Sequence, residues 1–538
     1  MVEHLLAKQK VASSNLVSRS NIISDGLGPN IQELFMQHYD VLIVGAGISG
    51  IGSACHLQSK CPGKSFAILE SREEFGGTWD LFRYPGIRSD SDMHTLGFNF
   101  KPWVASKSIA DGPSIKNYLQ ETIIEHDLSK HIQYQSKVLS ANWSGQESVW
   151  MVEISKEGQL STLSCNFLMM CSGYYNYEKP FKPEFPAESA FKGQVIHPQL
   201  WPKDLEYEGK KVIVIGSGAT AMTLVPAMAE KAETVTMVQR SPTYVVSMPD
   251  EDKIANGLRK VLPDSWAYAL TRYKNTKLQQ IMYKRMRSQP EKMKRYLIGL
   301  VKKALGSDHD VDTHFTPSYN PWDQRMCLIP NGDLFRSIKS GKTDVVTEHI
   351  DCFTETGIRL VSGQELEADI IVTATGLNMQ LMGGAEFYVD DQPVDFAEKF
   401  SYKGMMYADV PNLIQTFGYI NASWTLRADL TAEYACRLIN QMDELSARQC
   451  VAILADRDSN MIAKPWIENF SAGYIQRSLD LMPKQGEEDP WRNTQNYALD
   501  KKIIRDAPLE DGVMTFRDRV APDAEIRKQS ANDDQEAA

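Results

Sequence analysis

Two short runs have the residue types and spacing of nucleotide chemistry: Gly45-Ala-Gly47-Ile48-Ser49-Gly50 and Gly216-Ser-Gly218-Ala219-Thr220-Ala221. In such a turn the first glycine makes the tight bend and the second lets a pyrophosphate approach the backbone. The third lets helix pack on strand, a place where alanine also serves. Free N–H groups at the start of the following helix then receive the phosphates. What comes next sets the sugar chemistry. The first turn is followed, at the spacing of a ribose-binding acid, by Glu70, and the second by Arg240 and Ser241. A carboxylate holds ribose hydroxyls and repels a 2′-phosphate, whereas a guanidinium binds that phosphate with charge-assisted hydrogen bonds. The pair therefore predicts one site for an unphosphorylated adenosine and one for NADPH. A solvated arginine at a strand end is the plain alternative for Arg240, and its register relative to Gly218 favours the phosphate.

The elements that must position these residues are legible nearby. Val41–Val44 and SFAILE read as buried strands around the first turn, and KKVIVI and TVTMVQ repeat the pattern around the second. FLMMCSG, and ADIIVTATG ending at Thr375-Gly376, are two more buried strands closing on glycine. They mark where the chain leaves the first nucleotide domain and where it returns. The fold class is α/β, with two Rossmann-like dinucleotide-binding domains and a helical insertion at about 251–310. A flavin and a nicotinamide on facing domains can exchange a hydride.

Behind the first site comes FGGTWDLFRYPGIRSDSDMH. Gly76 and Gly77 let the backbone pass close to a flat ligand, with Thr78 and Trp79 beside it. Arg83, Arg88, Asp90 and Asp92 form a run of opposite charges. Alone this is a surface turn laced with salt bridges; after a dinucleotide turn, cofactor contact becomes the better reading.

Composition narrows the classes. Hydrophobic content of 42% with 24% charged residues is that of a soluble globular chain, and a net charge of -11 argues against nucleic acid as partner. The eight cysteines include no CxxC and no metal-ligand cluster, which suits a reducing cytoplasm and predicts no metal. Residues 41–58 and 212–229 approach the length of a membrane span but break on glycines, so each reads as strand, turn and helix. Residues 1–37, without an apolar signal core, read as a disordered tail, as does 521–538.

FKGQVIHPQLWP supplies the remaining pattern, F-x-G-x-x-x-H-x-x-x-W-P, through Phe191, Gly193, His197, Trp201 and Pro202. Flanked by two glycine turns, and joined by GGTW, RYPG and SYNPWDQRMCLIPNGDLFR, it resembles the flavin-dependent Baeyer–Villiger monooxygenases. Within them the match is nearest to the ethionamide-activating branch of mycobacteria, over essentially all of 38–520. The resemblance implies FAD on 38–175 and 374–520, NADPH on 176–373, and a substrate pocket in the last segment. It implies that NADPH-reduced flavin and O₂ convert ketones to esters or lactones, and oxygenate sulfides or thioamides. Arg325 would be the fixed positive donor and Asp90 the acid that pairs with it; an interdomain salt bridge is the plain alternative. His197 and Trp201 would serve the linker that coordinates the two domains. Asn421, Ser423 and Trp424, in GYINASWTLRADL, match a segment lining the pocket. One departure stands out: many relatives have lysine before the arginine, whereas this chain has Gln324. Phosphate selection would then rest on Arg240, Ser241 and Thr220, and the preference for NADPH over NADH would be weaker.

Residues 253–303 hold fourteen Lys/Arg against Asp264 and Glu291, interleaved with Trp266, Tyr268, Tyr273, Met282 and Tyr283. A solvated cap over the site is the favoured reading, with peripheral membrane contact second and nucleic acid last. The competing functions are an N-hydroxylating flavin monooxygenase and an NADPH oxidase, which share the nucleotide sites. A disulfide reductase would need a redox cysteine pair that the sequence lacks.

Overall fold

The computed structural model describes residues 36–517 except 455–457, 459 and 469. The expected tails, apart from residues 36 and 37, lie outside that range.

The strand His38–Val44 runs through a large mixed sheet, and its Val41-Leu42-Ile43-Val44 stretch is buried on both faces, as a parallel strand between layers must be. Phe66–Leu69 pairs with it in parallel on one side (Val41 opposite Phe66) and Gln159–Met170 on the other (Val44 opposite Met170). Gln159–Met170 also closes an antiparallel meander with Ser136–Ser144 and Val149–Lys156. The helix Ile48–Lys60 covers one face and packs on the long helix Trp424–Glu444.

A second sheet is wholly parallel, in the order Thr343–Thr347, Thr234–Gln239, Lys211–Ile215, Ile370–Thr373, Gln194–Ile196. Both Rossmann-like units thus share one logic, with glycine turns at the carboxyl ends of parallel strands, where ligands bind. After Ile370–Thr373 the chain returns to the first sheet, where Glu386–Val389 pairs with Ser136–Ser144 and Leu413–Gln415 with Gln159–Met170.

The helical insertion springs from the second unit. Its helices, Lys253–Leu258, Asp264–Ser288, Pro290–Leu305 and Val311–His314, lie between two short strands, Val245–Met248 and Cys327–Pro330, that pair in parallel. Arg325 stands two residues before the second of these strands, so their pairing fixes the root of the arginine loop.

Candidate active site

The two units face each other across a cleft of ≈ 530 Å³. Its wall from the first unit includes Gly45, Gly47, Ile48, Ser49, Glu70, Gly77, Thr78 and Trp79; Ala219 and Thr220 come from the second, and Asp90, Arg325 and Trp424 lie between. The backbone explains the glycines. A Cβ on Gly50 would sit 1.8 Å from the Gly45 carbonyl oxygen, so only glycine lets the turn close under the helix. No side chain caps Ile48–Lys60, and no acid stands in its first turn. That leaves its N-terminus free for an anion. Glu70, buried, accepts hydrogen bonds from the backbone N–H of Ala46 (2.8 Å) and Arg72 (3.0 Å). Burial raises its pKa, and the two N–H donors pull the other way.

In the second turn Gly216 is backed by the Ala374 carbonyl, as Gly45 is by that of Cys171. Gly218 opens Ala219–Met228, another helix without a side-chain cap, and has empty space where a Cβ would stand. Ala221 is buried in that unit's core. Arg240 follows the strand Thr234–Gln239, exposed and without a salt bridge among the described residues. Ser241, also exposed, accepts a bond from the Ser217 hydroxyl at its carbonyl (3.0 Å).

The charged run at 83–92 does not pair with itself. Arg83 bonds Asp80, Arg88 reaches Asp333 of the second unit (2.5 Å), and Asp92 caps Met93–Leu96. Asp90 pairs with Arg325 at 3.0 Å. The guanidinium is held well above its ordinary pKa by the Asp90 charge, against the cost of desolvation in the cleft. The neighbouring phenols of Tyr174, Tyr175 and Tyr474 are raised by burial and stay neutral. The arginine loop is tied down on both sides. Asp323 binds Arg287 of the long insertion helix (2.7 Å), and its carbonyl accepts from the N–H of Ser471 (2.6 Å).

The linker residues lie behind the cleft, where the chain crosses between units. His197 points Nε2 at the Gly376 carbonyl (3.2 Å), while Nδ1 takes the backbone N–H of Gln199 (3.1 Å). A ring that accepts at Nδ1 carries its proton on Nε2, and burial lowers its pKa accordingly. Gln199 donates to the carbonyls of Asn176 and Tyr177, both at 2.9 Å. The outgoing and returning crossings are thereby pinned by one short segment. Phe191 packs edge-on against Phe353; a Cβ on Gly193 would meet the Asp369 carbonyl at 2.2 Å. Trp201 is half-buried against the second core, and Pro202 is exposed. Thr375 donates to the Phe181 carbonyl (2.9 Å) and does not line the cleft.

On the pocket side, Trp424 lines the cleft, donates to Ser49 Oγ (2.7 Å) and stacks on Tyr174 at 5.2 Å. Ser423 and Asn421 do not line it. Ser423 is buried with its hydroxyl on Thr95 (2.6 Å), and Asn421 donates to the Gln495 carbonyl (3.0 Å). Sequence reasoning passed over Tyr174, Tyr175 and Gln199. The first two directly follow Ser172-Gly173, just past the end of the strand Gln159–Met170.

The insertion helix Asp264–Ser288 lies against the first unit: Arg272, buried, bonds Asp429 (3.1 Å) and the carbonyls of His94, Thr95 and Gly97.

With this geometry in view, residues 108–464 match the flavin-binding monooxygenase-like family and 43–106 an NAD(P)-binding Rossmann-like domain. The chain belongs to the flavin-binding monooxygenase-like family. It is 52% identical over 487 residues to the FAD-containing monooxygenase EthA of Mycobacterium tuberculosis, covering 90% of this chain and 99% of EthA. It is 50% identical to the probable FAD-binding monooxygenase AlmA of Acinetobacter baylyi, over 89% of this chain and 96% of AlmA. Its fold is shared with a steroid monooxygenase bound to NADP (TM-score 0.70, 19% identity, 90% of this chain and 100% of that one). A cyclohexanone monooxygenase bound to ε-caprolactone is similar in fold (TM-score 0.69, 18% identity, 90% and 100%).

Proposed function

We propose that this family member is an NADPH- and O₂-dependent Baeyer–Villiger monooxygenase converting ketones to esters or lactones, with oxygenation of sulfides or thioamides as a second activity. The observation that carries the reading is the Asp90–Arg325 pair, set in a cleft that both uncapped helix N-termini border. FAD would lie on 38–175 and 374–520, along Gly45–Gly50, Glu70 and Gly77–Trp79, and NADPH on 176–373, along Gly216–Ala221, Arg240 and Ser241. The free helix ends and the glycine approaches fit the pyrophosphates. When bound, FAD supplies hydride acceptance and the activation of O₂.

The chain's own residues would do the rest. Arg325 keeps its proton at any working pH and offers several planar donors to negative charge developing on the substrate oxygen. Asp90 orients that guanidinium. Tyr174, Tyr175 and Trp424 line the cleft beside it with aromatic rings. His197 and Gln199 hold the two crossings so that the nucleotide sites face each other.

The test is turnover of a water-soluble ketone with NADPH and isotopically labelled O₂. One labelled oxygen in the ester per NADPH consumed is expected. Hydrogen peroxide without ester, across a ketone panel, would overturn the reading in favour of an oxidase.

A further inference from the structure

We propose that the outer face of the helical insertion docks this enzyme on an anionic lipid surface. Asp264–Ser288 turns Tyr268, Arg272 and Met286 inward. At 3.6 residues per turn, Trp266, Leu270, Tyr273, Lys277, Ile281 and Lys284 share one narrow stripe on its other side. The four apolar members of that stripe are between 48% and 67% exposed. The next helix, Pro290–Leu305, repeats the device: Met293, Leu297, Val301 and Leu305 are buried, while Tyr296 and Leu300 stand out between Lys292 and Lys303.

Charge selects the partner. Residues 253–303 are +12 in a chain of -11, so the remainder is -23. Arg272, Lys274, Arg287 and Lys302 are engaged with carboxylates. Lys277, Lys284, Lys292 and Lys303 have no salt bridge among the described residues. Aromatic and aliphatic side chains interleaved with uncompensated lysines, on a surface helix, match the interface between lipid headgroups and acyl chains. The same face of a second copy would bring lysine against lysine. Such a strong charge asymmetry also turns the molecule insertion-first toward a negative surface. No helix among the described residues is long and apolar enough to cross a membrane, so the contact is peripheral.

The experiment is co-sedimentation of the full-length holoenzyme with vesicles of phosphatidylcholine alone and of phosphatidylcholine mixed with phosphatidylglycerol. Binding to the mixed vesicles, weakened by salt and slight on the neutral ones, is expected. Lys277→Gln and Lys284→Gln should each weaken it about fivefold, and Trp266→Ser with Tyr273→Ser should remove most of the rest. Flavin content and turnover of a soluble ketone should stay at the parent level in these variants, which separates docking from folding and from chemistry. No binding to the mixed vesicles would overturn the proposal, as would equal binding to both kinds or binding indifferent to the substitutions. Self-association of the lipid-free enzyme that these substitutions abolish would give the face to a second copy and also overturn it.

Discussion

His197→Phe tests how the crossing between the two units is held. Phenylalanine keeps the ring volume and loses both polar contacts: the donor to the Gly376 carbonyl and the acceptor for the Gln199 N–H. Gln199 is buried, so its N–H is left without a partner, a cost of about 1–3 kcal/mol. Taking about 2 kcal/mol, the melting temperature should fall by about 4–8 °C for a unit of roughly 200 residues. The pH dependence adds a second check. In the folded chain the His197 pKa is lowered by burial, so its neutral form is favoured. That contribution is complete above the unfolded value of about 6.5 and is lost as pH falls below it toward the folded pKa. Protonation places a proton on Nδ1, facing the Gln199 N–H, so the parent loses what the variant already lacks. Thermal unfolding of both holoenzymes on either side of about pH 6.5 should therefore show a gap that narrows on acidification. A gap that is constant, or that widens, would refute a His197 held neutral by burial.

Gly193→Ala should abolish soluble expression, because its Cβ would meet a backbone carbonyl at 2.2 Å that cannot swing aside; recovery of a stable protein would show that the strand can shift. Arg240→Ala should lower kcat/KM for NADPH about tenfold and leave NADH little changed, whereas Gln324→Lys should raise the preference for NADPH; equal losses with both cofactors would remove Arg240 from the 2′-phosphate. Asp500→Asn should cost about 3–5 kcal/mol by leaving the buried Arg427 charge without a carboxylate. Chemical denaturation reads that loss, and a shift below about 1 kcal/mol would mean that the Lys403 carbonyl suffices for Arg427.

The glycine turns, the strands before them and the outward and return crossings were legible because each is a local pattern: apolar run, glycine, helix. The insertion was legible from its charge and length. Partners far apart in sequence were not. The charged run at 83–92 read alone as a surface turn with salt bridges; Arg83 and Asp92 do make local contacts, with Asp80 and the helix Met93–Leu96, but Arg88 reaches Asp333 and Asp90 reaches Arg325. Asp90 and Arg325 were linked by resemblance, not by any local signal. Asn421, Ser423 and Trp424 lie within one short segment, and only the fold decides which of them faces the cleft. At the start of Trp424–Glu444 neighbouring residues point apart, so Trp424 reaches the cleft and Ser423 turns to Thr95. Gln199 was hidden for a similar reason: its value lies in two carbonyls on another strand.

The most direct test of the role given to Arg325 is the coupling of NADPH oxidation to ester formation in Arg325→Ala. The parent should give one ester per NADPH. The variant should still bind flavin and consume NADPH, release hydrogen peroxide, and form ester at a rate lower by about 10²–10³, the usual cost of one lost oxyanion donor. Ester yield retained in the variant would contradict the assignment and return the Asp90–Arg325 pair to a structural bridge between the two units.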